Sequence, residues 1–235
     1  MKTLCFAVVL LSLTSVCQPA SLACDSLLKK EDKSPDLSGR WYLVAMSSDM
    51  CVIPLISAFI WPSVAVDVTS KDTPNVYEGK YSVKMYGLCT TEPEPFFYGN
   101  NSIFDVDSNN APTGEPDVML HSSCPDCYVI KGDDVVETLM LFSRRQTVTA
   151  AELKEFETQA DCLGWYKPQL LSTDHDFENC SSLDDDSDLD TSGLSQKFLK
   201  RLKNTYSVPL NCLAGRFFYY YHSASEWAKQ TWASL

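Results

Sequence analysis

Histidine is scarce and basic residues are outnumbered. The chain has three histidines, His121, His175 and His222, too scattered to share a metal ion, so neither a metal site nor a cofactor is expected. Lys and Arg total 19 against 31 Asp and Glu, a formal net charge of −12. That balance disfavours nucleic acid and anionic membranes as general partners. Past the first residues no apolar run reaches the length of a spanning helix, so no transmembrane segment is expected. No nucleophile–base pair is legible, and no catalytic residue is assigned. The acidic run Asp184-Asp185-Asp186-Ser187-Asp188-Leu189-Asp190 lacks the sixth-place glycine and twelfth-place acid of a calcium loop.

What is present points outward from the cell. Lys2, the apolar run Leu4–Leu13 and the small-residue stretch SVCQPASLAC read as a secretory signal peptide over residues 1–20, with cleavage after Ala20 or as late as Ala23. A secreted, extracellular protein is expected. Of ten cysteines, Cys5 and Cys17 leave with that leader. Cys24, Cys51, Cys89, Cys124, Cys127, Cys162, Cys180 and Cys212 remain, and an even number in an oxidising compartment reads as disulfides. Asn100-Asn101-Ser102 and Asn179-Cys180-Ser181 are sequons, so Asn100 and Asn179 are glycosylation candidates.

From Gly39 to about Arg145 the chain reads as short strands between turns. Tyr77, Gly79, Tyr81, Val83 and Met85 alternate with Glu78, Lys80, Ser82, Lys84 and Tyr86, the period of a strand with one apolar and one wetter face. Shorter runs lie at Arg40–Ser47, Val64–Ser70, Pro95–Gly99, Ser102–Asp107, Asp117–Ser122, Cys127–Lys131 and Val136–Arg144. Turn clusters such as Lys71-Asp72-Thr73-Pro74 and Asn109–Gly114 lie between strands. Regular short strands in one domain mean a sandwich or a barrel. A helix follows over 149–163. Thr149 and Glu152 form a capping box, Ala150, Leu153, Phe156, Ala160 and Leu163 an apolar stripe, and Gly164 the C-terminal cap. Residues 181–192 read as an acidic linker, and 193–235 as an extension holding a short basic helix and an aromatic-rich end.

Gly39-Arg40-Trp41, opening the first strand just after a leader, resembles the G-x-W signature of the lipocalins. The stretch TAAELKEFETQADCLGWYKPQLLSTDHDFENC over Thr149–Cys180 resembles the helix and tail strand of the branch formed by α1-acid glycoprotein and the fish tributyltin-binding and saxitoxin- and tetrodotoxin-binding proteins. The likeness covers residues 24–180. It implies an all-β fold: an eight-stranded up-and-down antiparallel β-barrel with one C-terminal α-helix packed outside. It also implies the pairings Cys24–Cys162 and Cys89–Cys180. Three connectivities are open among Cys51, Cys124, Cys127 and Cys212, of which Cys51–Cys212 with Cys124–Cys127 is the choice made. The second lipocalin motif is replaced by Gly132-Asp133-Asp134, and the arginine that covers the tryptophan is Arg144 or Arg145.

A barrel of that size holds one small ligand. Alternation from Trp41 places Leu43 and Ala45 inward, with Val64, Val66 and Val68 on the second strand and Tyr77, Tyr81, Val83 and Met85 on the third. Later strands offer Phe97, Phe104, Val118, Leu120, Tyr128 and Ile130, and the family pattern implies Phe142 with Met140. The function expected is a carrier that binds and transports a small lipophilic molecule: a lipid, steroid, xenobiotic or toxin. Two rivals are weighed against it. One is a prostaglandin-isomerase-like enzyme using Cys51. The other is a lipid-surface or partner-binding role for the tail, through Lys197, Lys200, Arg201 and Lys203 with Phe198 and Leu202.

Overall fold

The computed structural model describes residues 24–32, 35–133 and 136–182, with Gln196 and Leu199 beyond them. Eight strands run in order: β1 (Gly39–Ser48), β2 (Ser63–Ser70), β3 (Val76–Met85), β4 (Leu88–Gly99), β5 (Ser102–Val106), β6 (Pro112–Leu120), β7 (Cys127–Asp133) and β8 (Glu137–Ser143). Each pairs antiparallel with the next, and β8 pairs back onto β1, so the sheet closes into a barrel. Closure leaves no open edge among these strands. Helix α1 (Val52–Ile60) lies between β1 and β2, and α2 (Ala150–Leu163) follows β8. Two short strands complete the sheet: β9 (Gln169–Leu170) pairs with β1, and β10 (Ser181–Ser182) runs parallel to β4. No described helix is long and apolar enough to cross a membrane.

The strand bounds extend the sequence reading in two places. β4 begins at Leu88 rather than Pro95, and β6 at Pro112 rather than Asp117. Both added halves are rich in Glu and Pro, which lack strand preference and are held by ladder partners instead. Helix α1 was not expected, because nine residues are too few for a periodic pattern to stand out. Gly132 and Asp133 belong to β7 itself, so the motif expected there is strand rather than turn.

Helix α2 is framed as its ends dictate. The Thr149 Oγ1 accepts from the Glu152 N–H at 3.3 Å, and the Thr149 N–H donates to Glu152 Oε2 at 2.7 Å. Gly164 closes the helix at φ +73°, a conformation glycine adopts without a Cβ penalty. Its buried face meets the outside of β1 and β6–β8, where Ala45, Leu120, Val129, Leu139 and Leu141 pack with Phe156 and Ala160. Gln159, fully buried, donates through Nε2 to the carbonyls of Leu27 at 2.9 Å and His121 at 2.8 Å. Cys24 is bonded to Cys162, which fixes the N-terminal segment to the same helix.

The chain after β9 covers the outside of β1 and β3. Lys84, read from alternation as wet, is buried there. Its Nζ donates to Asp174 Oδ1 at 2.8 Å and to the Asp176 carbonyl at 2.9 Å. The rings of Tyr42 and His175 lie 4.5 Å apart, and Cys89 is bonded to Cys180. The expected linker at 181–192 and extension at 193–235 lie outside the described residues apart from Ser181, Ser182, Gln196 and Leu199.

Candidate functional site

The closed end of the barrel is built by the G-x-W stretch. Gly39 sits at φ +93°, a backbone conformation that favours glycine, and a Cβ there would come within 2.7 Å of Arg144 Nη1 and push that side chain aside. The space goes to the Arg144 guanidinium, whose centre lies 3.7 Å from the Trp41 ring centroid, a cation–π contact. Trp41 Nε1 donates to the Leu37 carbonyl at 2.8 Å, and its ring lies 4.1 Å from that of Tyr128. The Tyr128 hydroxyl donates to the Asp36 carbonyl at 3.0 Å. Arg144 is therefore the covering arginine. Arg145 turns away to Asp126 at 2.9 Å and Glu152 at 2.8 Å.

Above this base the lumen wall is aromatic and aliphatic. Leu37, Trp41, Val66, Val68, Tyr81, Phe96, Ile103, Met119, Tyr128, Ile130 and Phe142 surround a cavity of about 50 Å³. Ligand pockets usually span roughly 300–1,000 Å³, so a guest must displace side chains or extend upward. The upper wall is different. Residues paired across an antiparallel ladder share a face, and Tyr81 pairs with Glu92, Gly79 with Glu94, Phe96 with Asp105 and Ile103 with Asp117. Carboxylates thus stand on the lumen face above the aromatic floor. Burial pushes the Tyr81 phenol up to about 12, helped by the negative charges of Glu94, Asp117 and Asp105. Burial raises Tyr128 to about 12 as well, against the opposing pull of Arg144.

Of the residues expected at the site, Trp41, Leu43, Val64, Val66, Tyr77, Tyr81, Tyr128, Met140 and Phe142 gather around the lumen. Val83 pairs with Val64 and shares that face nearer the open end. Three assignments of face are corrected. Phe97 and Phe104 pair with each other on the outer face, 6.2 Å between centroids, while Phe96, Tyr98 and Ile103 turn inward. Leu120, with Val118, packs beneath α2, and Met119 takes the lumen. Ala45 also lies beneath α2, because β1 shifts register between Leu43 and Ala45. Where lumen and helix bury both faces of a strand, apolar residues run consecutively and alternation vanishes. Val118-Met119-Leu120 is such a run, and in Phe96-Phe97-Tyr98 the outer-face Phe97 is an aromatic packed against Phe104, so neither run carries a signal for the face.

Cysteine chemistry is closed off at each described position. Cys124 is bonded to Cys127, and Cys51 is in a disulfide too; its expected partner, Cys212, lies outside the described residues. Cys124, Asp126, Cys127 and Glu152 converge at metal-ligand distances. Their two sulfurs are spent on each other, and the Arg145 guanidinium binds both carboxylates. Asn100 and Asn179 are both exposed, Asn100 in the β4–β5 turn at the closed end.

The ApoM domain pattern matches residues 2–185. The chain belongs to the ApoM domain family, a family of lipocalin fold. This ApoM domain is also similar to a solved siderocalin, Ex-FABP, which is described as functioning through dual ligand specificities. The two share 16% identity over 64% of this chain and 100% of that one, with a TM-score of 0.49. No curated protein matches the chain.

Proposed function

We propose that the protein is a secreted carrier that holds one small lipophilic or amphipathic molecule in the barrel lumen and transports it in extracellular fluid. The observation that carries this reading is the convergence of aromatic and aliphatic side chains from β1–β8 on one lumen that they do not fill. Each apolar group a ligand covers gains roughly 25 cal/mol per Å², while tyrosine hydroxyls orient it by few hydrogen bonds. Residues 1–20 are removed on export, 24–180 form the carrier domain, and Asn100 and Asn179 take glycans. Within the lipocalins the Thr149–Cys180 stretch sets the chain beside α1-acid glycoprotein and the fish tributyltin- and toxin-binding proteins. The isomerase reading needs a free thiol at Cys51, and that sulfur is already in a disulfide.

Glycosylated protein purified from serum-grown cells, analysed by native mass spectrometry and organic extraction, should carry a stoichiometric lipophile. Phe142→Ala should then weaken binding of that lipophile by tenfold or more, and exposed Lys80→Ala should leave it unchanged. Equal effects of the two changes would overturn the lumen as the site.

A further inference from the structure

Outside the barrel, α2 and the chain from β9 onward stand apart and leave a groove between them. Its volume is about 260 Å³, and ten residues line it. Buried Val44 and Leu171 form the floor, Leu153 of α2 one wall, and Trp61 with Leu170 the other. Gln146 and Thr173 are exposed at the rim. None of the ten is ionisable. We propose that this groove is a second binding site, separate from the lumen, for a small neutral lipophile such as an alcohol or a carbonyl compound.

The groove is framed by backbone bonds. Strand β2 leaves β1 at Leu43 and β9 joins it at Ala45, so Val44 stands where one partner gives way to the next. The Leu171 N–H donates to the Val44 carbonyl at 2.9 Å, and the Ser172 N–H to the Pro62 carbonyl at 3.0 Å. Trp61 holds φ +43°, a conformation that bulky residues rarely adopt, and its Nε1 donates to the Leu170 carbonyl at 2.9 Å. The wall so fixed stays 40% exposed at Trp61 and 51% exposed at Leu170, apolar surface that a guest would remove from water. Size and charge then select the guest. A stable protein interface engages roughly 20–30 residues a side, more than this groove offers. Pockets for drug-sized ligands span roughly 300–1,000 Å³, so the guest is smaller than those. A charged guest would lose its water without gaining a partner, and the chain's net charge of −12 further disfavours anions. The Gln146 amide and the Thr173 hydroxyl can each bond a neutral hydroxyl or carbonyl.

The site does not depend on the carrier reading, and the position of a photolabel separates the two. Full-length secreted protein is irradiated with a diazirine derivative of octanol, and the labelled peptides are read by mass spectrometry. Label should fall on the segments holding Trp61, Gln146–Leu153 and Leu170–Thr173. Octanol should compete for that label at least tenfold better than octanoate or octylammonium. Leu170→Asp puts an unpaired charge on an exposed part of the wall and should cut the labelling tenfold or more. Helix α2 should stay protected from hydrogen exchange in that variant, which separates a lost site from a lost fold. Gln146→Lys, at the rim, should admit octanoate as a competitor, and Lys80→Ala, exposed elsewhere, should change nothing. Label confined to lumen segments around Tyr81 and Met119, or no label at all, overturns the site. Labelling indifferent to Leu170→Asp overturns it too, and equal competition by octanoate and octanol in the natural chain overturns the neutral class of ligand.

Discussion

The two faces of the barrel wall are similarly apolar but differently closed. Beneath α2, Ala45, Leu139 and Ala160 are wholly buried, and Val129, Leu141 and Phe156 are 1% exposed. Around the lumen, Leu43 and Phe142 keep 8% and Phe96 9% of their surface. The outer face has a permanent occupant in α2, cut to shape by Ala160 and Phe156. The lumen has only its own walls, and rings held on eight diverging strands do not meet closely enough to fill it. The tightest packing therefore lies beneath α2, although Met119 on the lumen side is also only 1% exposed. This division agrees with the general rule that cores are packed to near-crystal density while binding sites are not.

The largest test of that division is a pair of truncations. Phe156→Ala should cost about 3–5 kcal/mol, the usual toll for emptying a tightly packed aromatic site. Phe142→Ala should cost roughly half as much, because its surroundings already include free volume and its ring is not fully enclosed. Urea denaturation of both variants at neutral pH reads the difference. Equal losses would show that the lumen is packed as an ordinary core, and the division would fall with them.

The same division explains what could be read from the sequence. Strands with one wet face, such as β3, alternate cleanly, and Tyr77 and Tyr81 were legible as lumen residues for that reason. The base was legible through Gly39 and Trp41, and the capping box through Thr149 and Glu152. The face was lost where apolar residues stand on both sides of a strand, under α2 at Val118-Met119-Leu120 and against Phe104 at Phe96-Phe97-Tyr98. It was lost again where a bulge breaks the period, as at Ala45. Lys84 and Gln159 were illegible for another cause. Their burial comes from segments about 90 and 132 residues away in the chain, at Asp174 and Leu27, and no local pattern registers such a partner.

Gln159 gives the intermediate test. On the α2 side the buried Gln159 amide donates through Nε2 to the carbonyls of Leu27 and His121, linking both to the helix, while its Oε1 is buried without a hydrogen-bond partner among the described residues. Gln159→Leu keeps much of the volume and strips both donors, leaving two carbonyls unsatisfied at roughly 1–3 kcal/mol. Thermal unfolding should show the loss, and amide exchange near Leu27 and His121 should quicken more than at Tyr81. A loss confined to global stability, with no local opening at those two segments, would remove Gln159 as the tie between them.

The smallest effect separates the two faces by pH. The Glu152 carboxyl lies below its usual 4.5, first because the Thr149 backbone N–H donates to it and then because Arg145 does. Its ionised form is thus favoured in the folded chain, so its contribution is fully present above pH 4.5 and is lost as pH falls through the lowered folded value. Glu152→Gln keeps an acceptor for Thr149 but drops the charge. At neutral pH it should lower Tm by about 2–4 °C, the shift that about 1 kcal/mol gives a chain of this size. The gap should close as pH falls below 4.5. Tyr81, on the lumen face, has the opposite sign: its phenol is raised from 10 to about 12, so its contribution holds below pH 10 and is lost as pH rises towards 12. Tyr81→Phe should leave the acid limb of the Tm–pH curve untouched and flatten only the alkaline one. A Glu152→Gln gap that persisted with the wild-type carboxyl protonated would assign the residue's role to packing, not charge.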